Sequence, residues 1–291
     1  MDMNAPDCLL CGQDQAIKRS HIIPAFVYRA IKSDSPSGYF RNPNRPNRRR
    51  QDGDKRPLLC RTCEQRFGDA ERAFYNEIFK AFHATDRDRF DYGPWLHYFM
   101  TSMAWRTLIL DLPSFRSNES VTKSLMGNLE ETSNRIRRYL LGADSLASRI
   151  NNHMFFYTAA ESCPQKLASA GPNVLVRRST FGYTLVQYTH GYATVINNLA
   201  GILCFLIIKG NLHDNWTRTK INPEGGSIVQ PQMVSSWAMG DLSEFVIEMA
   251  ENKKNRYSKA QRMKTLEAMK QNPDAPGLRF LDLDNQIIVN D

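Results

Sequence analysis

Two Cys-x2-Cys pairs, Cys8/Cys11 and Cys60/Cys63, constrain the folding of this chain more than any other feature. Each pair sets two thiols on one tight knuckle, and two knuckles supply the four sulfurs of a closed tetrahedral zinc site. A Cys-x2-Cys disulfide is strained, whereas the same spacing chelates a metal readily, and the sequence starts without the charged-then-apolar leader of a secreted chain. The spacing therefore predicts a structural Zn²⁺ on Cys8, Cys11, Cys60 and Cys63, and disulfides fit less well. Cys163 and Cys204 lie in apolar surroundings and read as buried free thiols.

A chain of 291 residues with 42% hydrophobic content can bury a substantial core, and its length favours two units, expected at 1–85 and 86–291. The longest apolar run, residues 199–208, is ten residues. A membrane helix needs about 18, so no membrane association is expected and a soluble, cytoplasmic protein is.

The net charge of +8 is unevenly placed. Residues 1–66 hold thirteen Lys/Arg against seven Asp/Glu, and the remaining residues are nearly balanced, 25 against 23. The excess centres on residues 41–50, RNPNRPNRRR, where Asn and Pro interrupt five arginines, forbid a regular helix and predict an extended, mobile loop. Arg45, Arg48, Arg49 and Arg50 are its candidate phosphate contacts. A solvated surface loop is the competing reading of such a run, and the neighbouring knuckles favour a nucleic-acid partner.

Along the chain, residues 16–23 look strand-like up to Pro24, and residues 26–31 suggest a brief helix. Residues 33–58 read as loop with room for a hairpin, and a helix begins at Cys60 with Phe67, Phe74, Ile78 and Phe82 on one apolar face. Further helices are expected within 95–141, one ending before Pro113 and one spanning 119–141. Five β-rich runs, 154–158, 173–178, 183–188, 192–196 and 202–208, predict an antiparallel sheet of about five strands within 153–208. Asp241-x-x-Glu244 and Ser258-x-x-Gln261 read as capping boxes opening two late helices over 241–271, and Asp282 and Asp284 alternate as in a strand facing solvent. The fold class is α+β.

Cys8-Leu-Leu-Cys11-Gly12, then His21-Ile22-Ile23-Pro24, then Leu58-Leu59-Cys60-Arg-Thr-Cys63 together resemble the zinc-stabilised branch of the HNH, or ββα-metal, endonucleases. The resemblance covers about residues 5–72. It implies an N-terminal zinc-bound treble-clef module, a His at position 21 that acts as general base for water attacking a phosphodiester, and a separate catalytic Mg²⁺ or Mn²⁺. It also implies a nucleic-acid substrate, DNA favoured. Restriction, phage defence or toxicity follows by analogy, with a regulatory protein partner or a homo-oligomer to restrain the activity. Ser20 stands where the family usually has a metal-binding Asp or His, and the family's central Asn falls near Lys55, with Asp54 the nearest acceptor. At the third position Glu64 offers a carboxylate for Mg²⁺.

Each candidate has a structural reading beside the catalytic one. His21 is either the base or a space-filling donor to a carbonyl; His83, His97, His153, His190 and His213 lack comparable surroundings. Glu64 is either a metal ligand or a helix N-terminal charge. Glu71, two turns further along and flanked by Phe67 and Phe74, needs a cation: Mg²⁺, Arg66 or an arginine of the 41–50 loop. The chain is thus expected to be a metal-dependent nuclease with His21, Glu64 and Glu71 at its centre. The alternative is a catalytically degenerate zinc-stapled nucleic-acid-binding or scaffold protein.

Overall fold

The computed structural model describes residues 6–17, 19–42, 45–187 and 191–290. Pro43 and Asn44 of the arginine-rich stretch, Tyr188 at the end of an expected strand, and His190 lie outside the described residues.

The first knuckle closes through Gly12, whose N–H donates to the Cys8 carbonyl at 2.8 Å from a backbone at φ +70°, a conformation glycine adopts without steric cost. Leu9 and Ile17 donate to the carbonyls of Leu58 and Leu59, which lashes this knuckle to the approach of the second. Between the two come β1 (Ser20–His21), α1 (Ala25–Ser33), β2 (Phe40–Asn42), β3 (Arg45–Arg50) and β4 (Lys55–Arg56). β4 returns antiparallel to β1 with His21 opposite Lys55, so the strand-like stretch at 16–23 contracts to two paired residues. β2 and β3 pair antiparallel, the hairpin that 33–58 left room for, so residues 41–42 and 45–50 are strand and not the mobile loop that their composition predicts.

The second knuckle starts a long helix. Cys60 is its N-cap, with Sγ accepting from the Cys63 N–H, and α2 (Arg61–Phe74) passes through one π-helical turn (Tyr75–Phe79) into α3 (Lys80–Ala84). All four expected apolar positions, Phe67, Phe74, Ile78 and Phe82, are buried.

After β5 (Arg89–Tyr92), α4 (Pro94–Arg116) is buried on nearly every face through its middle, as a central core helix must be. It continues past the expected stop because Pro113 lies on an exposed face, where water can satisfy the carbonyl that proline leaves without a donor. α5 (Lys123–Leu140) starts later than expected, at a Thr122 cap whose hydroxyl accepts from Leu125 N–H.

β6 (Asn151–Phe156), β7 (Ser162–Pro164), α6 (Gln165–Ala170), α7 (Pro172–Arg177), β8 (Thr180–Gln187), β9 (Tyr192–Leu199) and β10 (Ile202–Lys209) follow. Among the described residues the main sheet has four antiparallel strands in the order β6-β10-β9-β8, not five. The missing strand is α7. Pro172 occupies its first turn, and the Asp284 carboxylate accepts from the Asn173 and Val174 N–H groups at 2.8 and 3.0 Å, a cap supplied from the far end of the chain.

The remaining elements are β11 (Asn215–Thr217), β12 (Gly226–Val229), β13 (Met233–Ser235), α8 (Trp237–Arg256), α9 (Lys259–Gln271), α10 (Arg279–Asn285) and β14 (Ile288–Asn290). β11 pairs with β13 and β12 with β5, both antiparallel, and β14 lies parallel to β7. Asp241 falls inside α8, which opens at Ser236, and its carboxylate accepts from the Gln187 amide instead of capping. Ser258 does cap α9, accepting from Gln261 N–H at 3.2 Å. Asp282 and Asp284 belong to a helix, not to a strand.

The sheet is covered on both faces, which is why every residue of β9 is buried and the strand lacks polar alternation. Ala193, Val195 and Leu206 meet Trp105, Leu108 and Leu129 of α4 and α5, while Ile196, Leu203 and Phe205 meet Leu242, Val246 and Met249 of α8. Cys8, Leu10, Cys60, Cys63 and Phe67 join the first of these clusters. A third apolar cluster joins Phe26, Phe74 and Phe82 to Phe90, Phe99 and Phe156, so apolar packing runs across residue 85. Among the described residues no helix is long and apolar enough to cross a membrane.

Candidate metal centre and the histidine beside it

The two knuckles bring the sulfurs of Cys8, Cys11, Cys60 and Cys63 within 4.8 Å of one another, with Cys11 and Cys60 at 3.9 Å. A tetrahedral site with Zn–S bonds near 2.3 Å places its sulfurs about 3.8 Å apart, so the cluster fits a metal ion such as zinc. None of the four is in a disulfide, and three are buried. Burial pushes the Cys63 thiol well above its ordinary range; at Cys11 burial is outweighed by the N–H groups of Asp14 and Gln13, which bring the thiol down to about 7. A bound cation favours all four thiolates and removes the cost of burying them. Arg137 of α5 fastens the outer knuckle, donating to the carbonyls of Leu10 at 2.5 Å and Cys11 at 3.3 Å. Cys163 and Cys204 are buried free thiols, as their surroundings suggest.

His21 ends β1 beside this cluster. Its Nε2 lies 2.9 Å from Asp52 Oδ1, in the loop between β3 and β4. Burial alone raises the Asp52 carboxyl, but Lys55, His21 and the Gly53 N–H outweigh it and hold the group well below the usual carboxylate range. An ionised carboxylate only accepts, so Nε2 donates, and in the neutral imidazole this tautomer leaves the lone pair on Nδ1. Nδ1 makes no hydrogen bond among the described residues, and the His21 side chain keeps 18% of its surface open to solvent. The loop carrying Asp52 is pressed against Tyr28, where a Cβ at Gly53 would meet the ring at 2.1 Å. Glycine at 53 is what lets Asp52 come this close to His21.

The carboxylates gather around Arg106 of α4, which is 1% exposed. Its Nη2 donates to Glu71 Oε1 at 2.8 Å, its Nη1 to the His21 carbonyl at 2.9 Å and its Nε to the Ser102 carbonyl at 3.3 Å. The cation expected for Glu71 is therefore neither Arg66 nor an arginine of residues 41–50. Glu64 has its pKa raised by burial, against the pull of Arg106 and the Ser20 hydroxyl, and its Oε2 is buried without a partner. Ser20 is itself fully buried and accepts from Leu59 N–H at 3.3 Å. Among the described residues the four cysteines form the one group of three or more such side chains close enough to share an ion.

Of the four arginines, Arg45, Arg48 and Arg49 are exposed on β3, with Arg49 lying over the Tyr39 ring at 4.7 Å. Arg50 is engaged by Asp54 at 2.6 Å. The hairpin is braced from outside its own segment: Asn47 donates to the Arg256 carbonyl at 2.8 Å and accepts from Ser258 N–H at 2.9 Å, at the junction of α8 and α9. That junction brings exposed Lys254 and Lys259 into the same region, residues whose relation to the hairpin no local pattern reveals. Asp52 and Arg106 likewise carry no sequence signal, one having no motif and the other lying in an apolar helix.

Comparison of the chain with protein-family models, with curated proteins and with solved structures found no match.

Proposed function

We propose that this protein is a metal-dependent endonuclease of the zinc-stabilised HNH type, with its knuckles, β1, β4 and α2 as a treble-clef module and DNA as the favoured substrate. The observation that carries this reading is the Asp52–His21 pair: Nδ1 makes no hydrogen bond among the described residues, and Asp52 follows closely on a strand of exposed arginines. Asp52 fixes the tautomer of His21 and stabilises the imidazolium formed when Nδ1 takes a proton from the attacking water. Arg45, Arg48 and Arg49 hold backbone phosphates, and Arg50 acts through Asp54 to shape the loop.

The unpartnered Oε2 of Glu64 is a donor that suits the Mg²⁺ or Mn²⁺ of the HNH resemblance, whereas Glu71 is committed to Arg106. When bound, such an ion neutralises charge on the scissile phosphate and the leaving oxygen. The zinc is closed by four sulfurs and serves structure only. Roles in restriction, phage defence or toxicity rest on family analogy.

The engagement of Glu71 and the burial of Ser20 favour a second reading, a zinc-stapled protein that binds nucleic acid without cutting it. Cleavage of plasmid and single-stranded DNA in Mg²⁺ or Mn²⁺ separates the two. Wild type is expected to cut and His21→Ala to lose activity at least about 100-fold while keeping its metal and its DNA affinity. No cleavage by wild type in either ion, with DNA binding intact, selects the second reading.

A further inference from the structure

The long helix capped by Cys60 ends at Ala84 against an open cavity of about 450 Å³ lined by α3, the 85–88 loop, α7 and α10. Its walls include Phe82, His83, Arg87, Arg177, Arg279 and Phe280. The size falls within the range of about 300–1,000 Å³ typical of small-molecule sites.

The lining is cationic and aromatic together. The Arg177 guanidinium lies over the rings of Phe82 at 4.3 Å and Phe280 at 5.0 Å, and Arg279 lies over Phe280 at 4.8 Å. Arg177 is 7% exposed; its Nη1 donates to the Tyr157 carbonyl at 2.9 Å, but its Nε is buried without a partner. The Nε2 of His83 is likewise buried and unpartnered. Among the described residues neither Arg177 nor Arg279 has a carboxylate within ion-pair distance. Asp86 and Asp88 line the cavity at exposed positions, and Asp34 acts on Arg177 and Arg279 electrostatically.

Holding the buried Arg177 guanidinium close to the exposed Arg279 with no carboxylate at ion-pair distance is costly. Burial and the nearby charge of Arg279 bring Arg177 down to about 10, and burial followed by both arginines keeps His83 neutral, at about 3. The neutral imidazole adds a hydrogen-bonding group without adding a third positive charge. These are the components of an oxyanion subsite: a planar fork for bidentate contact, a neutral partner and aromatic faces for the organic remainder.

We propose that this cavity binds one small organic anion, its phosphate or carboxylate group held by Arg177 and Arg279 and its body against Phe82 and Phe280. The site is separate from the His21 centre and stands whether or not the chain cuts nucleic acid.

Calorimetric titration of the full chain with inorganic phosphate, adenosine 5′-monophosphate and citrate, each against KCl at matched ionic strength, tests it. At least one probe is expected to bind saturably at one per chain and to raise the melting temperature. The phosphate and citrate arms distinguish the two oxyanions, and the nucleotide arm shows the gain from an aromatic body. Arg279→Gln, at an exposed position, is expected to weaken binding at least tenfold with an unchanged circular-dichroism spectrum, and Arg279→Lys to restore part of it. The proposal is overturned if no probe exceeds the KCl control, if Arg279→Gln binds as wild type does, or if Arg48→Gln in the hairpin removes the binding instead.

Discussion

Arg106 donates to the backbone carbonyl of His21 at 2.9 Å from a helix 85 positions further along the chain. The same guanidinium holds Glu71, so one buried cation braces the strand that carries His21 and the helix that carries both candidate carboxylates. Arg106→Met is expected to leave Glu71 half-buried without a cation and to cost about 3 kcal/mol in urea unfolding. A double-mutant cycle with Glu71→Gln should show strong coupling; additive losses would mean that the pair contributes little.

Asp52→Asn removes the carboxylate that orients His21 while preserving shape. Cleavage is expected to fall by about 10² to 10⁴, with zinc content and DNA affinity retained. Because the folded-state pKa of Asp52 is depressed, its contribution to stability is full above the unfolded value near 4 and is lost as pH falls through the folded value. Urea midpoints of wild type and Asp52→Asn should therefore converge at the acid end and separate above about pH 4.

His153 gives the opposite end of the same logic. It is buried between Thr219 and Asn151, and burial, then Lys220, lowers it to about 4. Its unfolded value is near 6.5, so the unfolded chain takes up a proton first and stability falls as pH drops from about 6.5 towards 4, by on the order of 3 kcal/mol. His153→Gln should flatten that slope; an unchanged pH profile would assign the acid sensitivity elsewhere.

Metal analysis is expected to find one zinc per chain in wild type and in Cys163→Ser, and none in Cys60→Ser. Chelation should lower the melting temperature and release the N-terminal region to proteolysis, since a four-thiolate site contributes folding free energy directly. A fully folded, zinc-free wild type would remove the metal from the account.

Asp284→Ala takes away both N–H acceptors at the start of α7 and is expected to cost about 1 kcal/mol. The same residue shows where reading the sequence ran out. The knuckles and the Ser258 cap were legible because their partners lie within three residues, and the apolar face from Phe67 to Phe82 because helical spacing repeats. Residues 173–178 looked like a strand because the cap that makes them helical comes from Asp284, and nothing local signals it. Residues 41–50 looked mobile for the same reason, their anchor being Asn47 on the α8–α9 junction. At the candidate site the sequence supplied His21, Glu64 and Glu71 but not their partners: Asp52 carries no motif, and Arg106 is hidden in a helix that reads as core.

The first residue of the long helix is preceded by a cap whose acceptor is a metal ligand: Cys60 Sγ receives the Cys63 N–H. An ion gripping Cys60 and Cys63 locks the opening turn, and with it the angular position of every side chain down to Ala84. Loss of such an ion would loosen that turn and leave Arg106, which holds the His21 carbonyl and Glu71, as the remaining tie between the strand and the helix.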